Sequence, residues 1–225
     1  MNTLVLRGEQ VRDAASALDR STELLRAVAD GTIAEDRVVR VYSPPPTVAL
    51  SRRESHLPGF DRATAAAADH GFTPVVRPTG GRAVAYDESC IVFDLVEREH
   101  GQAAPSLLFA RAGAALVSAL SSLGADARVG DVPGEYCPGE FSINARGAVK
   151  LVGTSQRSVR GARLLSGMVP LSAVDHLVDV LSEVNAALGL EWDAATFGTL
   201  RDEASRVRRV VVEDALIGAL AGMGR

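Results

Sequence analysis

The chain has 225 residues, with 24 Lys and Arg against 28 Asp and Glu, a formal net charge of −4 and a pI near 5.6. That balance argues against nucleic acid as a partner, because a polyanion binder shows a basic patch and a high pI. A hydrophobic content of 47% and a charged content of 23% are those of a globular protein. No apolar run approaches the ~18–20 residues of a membrane span, and the N-terminus has no basic region followed by an apolar stretch, so a cytoplasmic protein without a signal peptide or a membrane partner is expected.

In chain order, Thr3–Leu6 reads as a short strand. The apolar repeat Val11, Ala14, Ala15, Leu18, Leu25, Val28 predicts a helix over Gln10–Asp30, stopped by Gly31. Arg37–Tyr42 and Thr47–Leu50 read as strands on either side of Ser43-Pro44-Pro45-Pro46, where three prolines exclude a central strand. Pro58-Gly59 precedes an Ala-rich helix, Asp61–His70, in which His70 sits favourably at the C-terminal end of the helix dipole. Strands are predicted at Thr73–Arg77, Arg82–Tyr86 and Ser89–Val96, the first two joined by the tight turn Pro78-Thr79-Gly80-Gly81.

Pro105 opens a helix to Leu123, followed by Gly124. Phe141–Asn144 and Ala148–Val152 form a predicted hairpin about Ala145-Arg146-Gly147. Arg163–Val169 is a further strand. Ser172 is placed as the cap of a helix whose inner face carries Val174, Leu177, Val178 and Leu181. Ala204–Met223 reads as a last helix, with Arg206-Val207-Arg208-Arg209 on its solvated face, a basic stretch that could also meet an acidic partner. Strands in runs with helices between them predict α+β: a mixed, largely antiparallel sheet packed by helices. One domain over residues 1–225, without a C-terminal accessory domain, is the expected organisation.

Lys150 is the only lysine; the other 23 basic residues are arginine. A chain that uses Arg elsewhere keeps here a compact, mobile point charge that Arg cannot replace. Strand alternation puts Lys150 beside Ala148 and Val152, with Val149 and Leu151 on the other face and a Gly153-Thr154-Ser155 turn following. Such a partly desolvated ammonium would stabilise developing negative charge. Upstream, Arg77-Pro78-Thr79-Gly80-Gly81-Arg82 offers exposed N–H groups flanked by two guanidinium forks. Taken alone, this turn reads better as a β-hairpin turn with solvated arginines.

Neither Cys90 and Cys137 nor His56, His70, His100 and His176 have ligand spacing, so no metal site is assigned. Cys90 lies within a predicted strand and belongs to the core. Cys137, thirteen residues before Lys150, is either a buried structural cysteine or a nucleophile whose thiolate the lysine would favour.

Together, Arg77-Pro78-Thr79-Gly80-Gly81-Arg82-Ala83-Val84 and Lys150-Leu151-Val152-Gly153-Thr154-Ser155-Gln156-Arg157 resemble the two signatures of the lipoate–protein ligase and octanoyltransferase family. Arg40–Arg52 resembles its first strand pair and Gly161–Leu171 the strand after the lysine motif, so the likeness runs in order over roughly residues 10–185. It implies the fold of biotin and lipoate–protein ligase catalytic domains, and attachment of a lipoyl or octanoyl group to one lysine of a carrier: a lipoyl domain of a 2-oxoacid dehydrogenase complex or the glycine cleavage H protein.

Carried over, Lys150 is the catalytic lysine. Arg77, Thr79, Gly80, Gly81, Arg82, Ala83 and Tyr86, with Gly153, Thr154 and Ser155, would line the substrate or adenylate pocket. The resemblance leads first to an ATP-dependent ligase acting through an acyl-adenylate with magnesium, calling at this length on a separate accessory protein. It leads second to a transferase using a Cys137 thioester and no cofactor, and third to a non-catalytic acyl- or carrier-binding descendant. Departures from the pattern are Tyr86 where members often have His, and Ser51 where the strand usually ends in Gly; the Arg82 form of the loop is common in the transferase branch. Burial of about seven methylenes of an eight-carbon tail contributes roughly 5–6 kcal/mol, or about 0.1 mM affinity, so tight holding also needs polar anchors.

Overall fold

The computed structural model describes residues 2–9, 11–99 and 104–224; Gln10, at the start of the first predicted helix, and His100 lie outside the described residues. Strand β1 (Thr3–Arg7) leads to helix α1 (Ala14–Asp30), whose N-cap Asp13 accepts from the Ser16 N–H while the Ser16 hydroxyl accepts from the Asp13 N–H. This reciprocal cap satisfies two of the donors a helix start leaves over. Then follow β2 (Arg37–Tyr42), β3 (Thr47–Ser51), a 3₁₀ turn at Glu54–His56, α2 (Phe60–Asp69), β4 (Thr73–Arg77), β5 (Val84–Tyr86) and β6 (Cys90–Arg98). The second half contains α3 (Pro105–Ser122), β7 (Ala127–Val129), β8 (Ile143–Ala145), β9 (Val149–Val159), β10 (Ala162–Pro170) and α4 (Asp175–Leu188). A 3₁₀ turn at Ala194–Thr196, α5 (Leu200–Glu203) and α6 (Arg209–Gly222) complete it.

The strands build a seven-stranded sheet in the order β1-β2-β6-β10-β9-β8-β7 and a three-stranded one in the order β4-β3-β5. Among the described residues, only β1–β2 and β3–β4 pair in parallel within these sheets. The expected mixed, largely antiparallel α+β architecture is therefore present.

Alternation along the strands gives the large sheet two different faces. Val39, Val41, Ile91, Phe93, Leu95 and Leu165 pack against Leu108, Leu116 and Leu120 of α3 and Val212, Leu216 and Leu220 of α6. On the opposite face, Leu24, Leu25 and Val28 of α1 cover Val38, Val96 and Leu164. Beside them Tyr42, Val92 and Met168 meet the small sheet, α2 and α4. It is this second face, where α1 and the small sheet leave a gap, that carries the site.

Four local predictions are corrected. Gly153-Thr154-Ser155 is not a turn: β9 runs on to Val159, because these residues pair with Met168, Gly167 and Ser166 of β10. Val152 does not share the face of Lys150. A bulge between β8 and β9 sets Ile143 opposite Val152 and Asn144 opposite Lys150, and Leu151 and Val152 both enter the α3–α6 core. Ser172 caps nothing; α4 begins at Asp175 with Val174 at the N-cap, and the Ser172 hydroxyl accepts from Arg201. The last helix is broken: Arg206–Arg208 lie in the chain between α5 and α6, and only Arg209 begins α6, its guanidinium donating to the carbonyls of Glu88 and Cys90. Strand β7 was not foreseen; its three residues carry no repeat to read. His70 closes α2, paired at 3.1 Å with Glu183.

Candidate active site

Lys150 is 3% exposed. The β8–β9 bulge turns it out of the α3–α6 core, and the segment Thr196–Gly198 backs it, the Gly198 N–H donating to the Lys150 carbonyl at 3.1 Å. Its ammonium donates to Glu135 Oε1 at 2.9 Å and to the Cys137 carbonyl at 2.6 Å, and lies 4.6 Å from the centre of the Tyr136 ring. Glu135 is itself fully enclosed and accepts from the Ser142 hydroxyl at 2.6 Å and the Val132 N–H at 3.1 Å. A buried charge persists only when paired and hydrogen-bonded, and Glu135 meets that requirement for Lys150. Tyr136 is held by the rings of Phe197 and Trp192 at 5.5 and 6.1 Å.

The glycine loop is fastened from three sides. Arg77 donates to the carbonyl of Gly80 at 2.8 Å and to that of Arg82 at 2.7 Å. Glu54, buried in the 3₁₀ turn after β3, accepts from the Ala83 N–H at 2.7 Å and from the N–H and hydroxyl of Ser51. From β9, the Ser155 hydroxyl donates to Thr79 Oγ1 and Arg157 to the Pro78 carbonyl. Gly81 stands at φ 100°, where a side chain would be strained and its Cβ would lie 2.7 Å from the Arg77 guanidinium and 3.2 Å from Cys137 Sγ. This close approach brings the Arg82 N–H to 3.2 Å from Cys137 Sγ. Gly153 has a similar reason: a Cβ there would meet the Tyr136 hydroxyl at 3.1 Å and Lys150 Cε at 3.2 Å.

These elements line a half-open cavity of about 420 Å³. It is lined by Lys150, Cys137, Arg77, Thr79, Gly81, Arg82, Tyr86, Gly153, Thr154 and Ser155, so two sequence motifs and the cysteine loop come together in one place. Gly80 and Ala83 do not line it; the Gly80 carbonyl faces Arg77 and the Ala83 N–H is taken by Glu54. Arg77 lines the cavity but its guanidinium is engaged with backbone carbonyls instead of standing free for a ligand oxygen. The Arg82 side chain has no protein partner among the described residues.

Burial pushes the phenols of Tyr86 and Tyr136 above their ordinary range, so both remain protonated donors. It also pushes the Cys90 thiol up to about 12, consistent with a core cysteine outside the cavity. Cys137 is the cysteine that reaches the cavity. Among the described residues no three His, Cys, Asp or Glu side chains come together to hold a metal, and no helix is long and apolar enough to cross a membrane.

Glu135, Tyr136 and Glu54 were not picked out from the sequence. The rule that a buried ammonium needs a carboxylate could have found Glu135, two residues before the cysteine already singled out. Glu54 has no such signal, since its role comes from β3 and the glycine loop meeting in space.

The model of the Lipoyl protein ligase A/B catalytic domain matches residues 13–211. Among curated proteins, an octanoyl-GcvH:protein N-octanoyltransferase of Geobacillus kaustophilus is 34% identical over 150 residues, covering 66% of this chain and 52% of that protein. One of the same name from Exiguobacterium sibiricum is 35% identical over 128 residues, 56% of this chain and 46% of that one. The chain thus spans about half the length of the curated relatives it matches. Among solved structures, lipoate-protein ligase A bound with ATP superposes with a TM-score of 0.78 at 22% identity, over 98% of this chain and 85% of that one, a likeness of fold.

Proposed function

The chain belongs to the lipoyl protein ligase A/B catalytic domain family, and on that footing we propose that it transfers an octanoyl- or lipoyl-type acyl group to a lysine of a lipoyl carrier domain through a thioester on Cys137. The observation that carries this reading is the seat of Cys137. Its sulfur faces the cavity under the Arg82 N–H, and its own carbonyl is held by the Lys150 ammonium. The relatives' names, which describe octanoyltransferases acting on the GcvH protein, support the same choice. They also make an H protein the first carrier to try as acyl donor, with lipoyl domains as acceptors.

The chemistry divides into two exchanges. Cys137 sulfur attacks the acyl carbonyl of the donor; a C–S bond forms, the bond to the donor's leaving group breaks, and the thiol proton leaves with that group. The acceptor lysine, as the free amine, then attacks the thioester; an amide forms, the C–S bond breaks, and the sulfur recovers a proton from the amine. Each step passes negative charge through a carbonyl oxygen. Lys150, whose third N–H has no protein acceptor among the described residues, is the preplaced donor for it, and such a donor needs no reorganisation.

The ligase reading rests on the same lysine and loop. It requires ATP and magnesium, with Arg82 and the loop N–H groups holding the nucleotide. Two features count against it: Arg77 is already committed to backbone carbonyls, and a cysteine has no task in adenylate formation. Incubation with octanoylated H protein, followed by intact-mass analysis, should show one acyl group on the wild-type chain and none on Cys137→Ser. An equally acylated Cys137→Ser chain, or an adduct mapped to another residue, would refute the thioester.

A further inference from the structure

Beside Lys150 stands a hydroxyl to which the chemistry above gives no task. Tyr136 is 4% exposed, its ring held by Phe197 and Trp192 and set 4.6 Å from the Lys150 ammonium. Among the described residues its hydroxyl has no hydrogen-bond partner. Its oxygen is not among the wholly enclosed ones, and the residue lines the cavity, so the hydroxyl opens there. Gly153 of β9 leaves it room: a Cβ at that position would stand 3.1 Å from the hydroxyl and 3.6 Å from the Lys150 ammonium. The two donors therefore flank one patch of bare backbone. Buried hydroxyls are as a rule hydrogen-bonded, because an unmade bond costs stability. This one is kept without a protein partner, next to a lysine whose third N–H also has none among the described residues.

The order of the chain shows how the hydroxyl is held. Glu135, Tyr136 and Cys137 are consecutive: the first pairs with Lys150, and the third carries the sulfur while its carbonyl accepts from the same ammonium. The Tyr136 ring is fixed between the two residues that grip Lys150. Burial raises its phenol, so the proton stays on the oxygen. A neutral, fixed donor without a protein acceptor suits an oxygen that arrives with the substrate. We infer that the Tyr136 hydroxyl is the second donor to the acyl carbonyl oxygen, beside Lys150. The inference rests on the thioester reading proposed above and adds a catalytic group to it. The hydroxyl gives a hydrogen bond and keeps its proton, so the bonds made and broken are those already set out. As negative charge gathers on the carbonyl oxygen in each exchange, that hydrogen bond strengthens, and a contact stronger in the transition state than in the ground state lowers the barrier.

Tyr136→Phe tests it, because it keeps the ring against Lys150, Phe197 and Trp192 and removes one oxygen. The chain is mixed with a range of excess octanoylated H protein, and octanoyl on Cys137 is followed by quenched intact mass. The limiting acylation rate should fall about 10²-fold, with the half-saturating H-protein concentration unchanged. The thermal midpoint should hold or rise, since no protein hydrogen bond is lost. Tyr136→Leu, which also removes the ring, should be slower still and less stable. As a readout without turnover, calorimetry with octanoate, whose carboxylate stands in for the carbonyl oxygen, should show about tenfold weaker binding to Tyr136→Phe. A Tyr136→Phe chain acylated at the wild-type rate would overturn the inference and leave the thioester reading standing. A wild-type chain that is never acylated, but whose octanoate affinity falls with Tyr136→Phe, would keep the oxygen site and reject the thioester reading. If the wild type is not acylated and Tyr136→Phe does not weaken octanoate binding, both fail.

Discussion

Two buried ion pairs occupy opposite faces of the large sheet, Arg37–Glu97 under α6 and Lys150–Glu135 beside the glycine loop. By burial they are alike, Arg37 being 0% and Lys150 3% exposed. They differ in what is left over. Arg37 is met by Glu97 and by the carbonyls of Leu220 and Ala221, and Glu97 also takes Arg111. The pair closes the sheet against α6 and does not line the cavity. Lys150 has three N–H groups and two acceptors, Glu135 and the Cys137 carbonyl; its third has no protein acceptor among the described residues, and the residue lines the cavity. The lesson is that burial alone does not mark a functional charge. A structural pair is saturated by the protein, whereas a functional one is paired well enough to be buried and keeps a donor for a ligand.

The largest expected effect is on the site. Cys137→Ser should lower acyl transfer by on the order of 10³-fold or more, measured as carrier acylation, with the thermal midpoint nearly unchanged because Cys137 is only partly buried. Lys150→Arg should cost about 10²–10³-fold in kcat, the range for loss of one preplaced donor. A fork that fits Glu135 cannot also offer a compact charge at the same point.

The mirror substitution, Glu97→Gln, should do the reverse. It leaves Arg37 buried with a weakened partner, lowers stability in chemical denaturation by about 3–5 kcal/mol, and leaves kcat per folded molecule unchanged. If Glu97→Gln changes kcat, or Lys150→Arg does not, the contrast between the pairs is wrong.

Smaller effects sharpen the comparison. Glu135→Gln keeps an acceptor for Lys150 and Ser142 but removes the counter-charge. It should lower kcat about tenfold with little change in KM, since Glu135 touches the lysine and not the cavity's acyl floor. Asp87–His176 is a third pair, half-exposed on the imidazole side. Burial alone would raise the Asp87 carboxyl, yet hydrogen bonds from Ser89 and His176 outweigh it and hold the pKa below its ordinary value. Its contribution is therefore present above the unfolded carboxylate pKa and lost as pH falls through the lower folded one, below about pH 4. Asp87→Asn should cost about 1 kcal/mol at neutral pH, and the gap to wild type should close in denaturation measured below pH 4.

What the sequence made legible follows from locality. The lone lysine, the glycine turn and most strands are short-range signals: composition, a Gly-Gly pair, an alternation of two. The bulge at Leu151 is not, because it is defined by how β8 meets β9, and it reversed the predicted face of Val152 while leaving Lys150 where expected. The same holds for Glu54 and for Tyr136, whose hydroxyl comes to Gly153 and Lys150 only through the fold. Ser172 failed as a cap for a local reason: Ala173 takes a positive φ of 55° and Val174 becomes the N-cap, so the helix starts later than the Ser signal implies.

The most direct measurement of the Cys137–Lys150 proposal is acyl exchange between carriers in the absence of nucleotide. Octanoylated H protein, apo lipoyl domain and the wild-type chain are incubated after apyrase treatment, and both carriers are read by intact mass. Octanoyl on the lipoyl domain, unchanged by added ATP and magnesium and absent with Cys137→Ser, is the predicted result. Octanoylation that appears only with ATP and free octanoate, and persists in Cys137→Ser, would contradict it and return the site to adenylate chemistry.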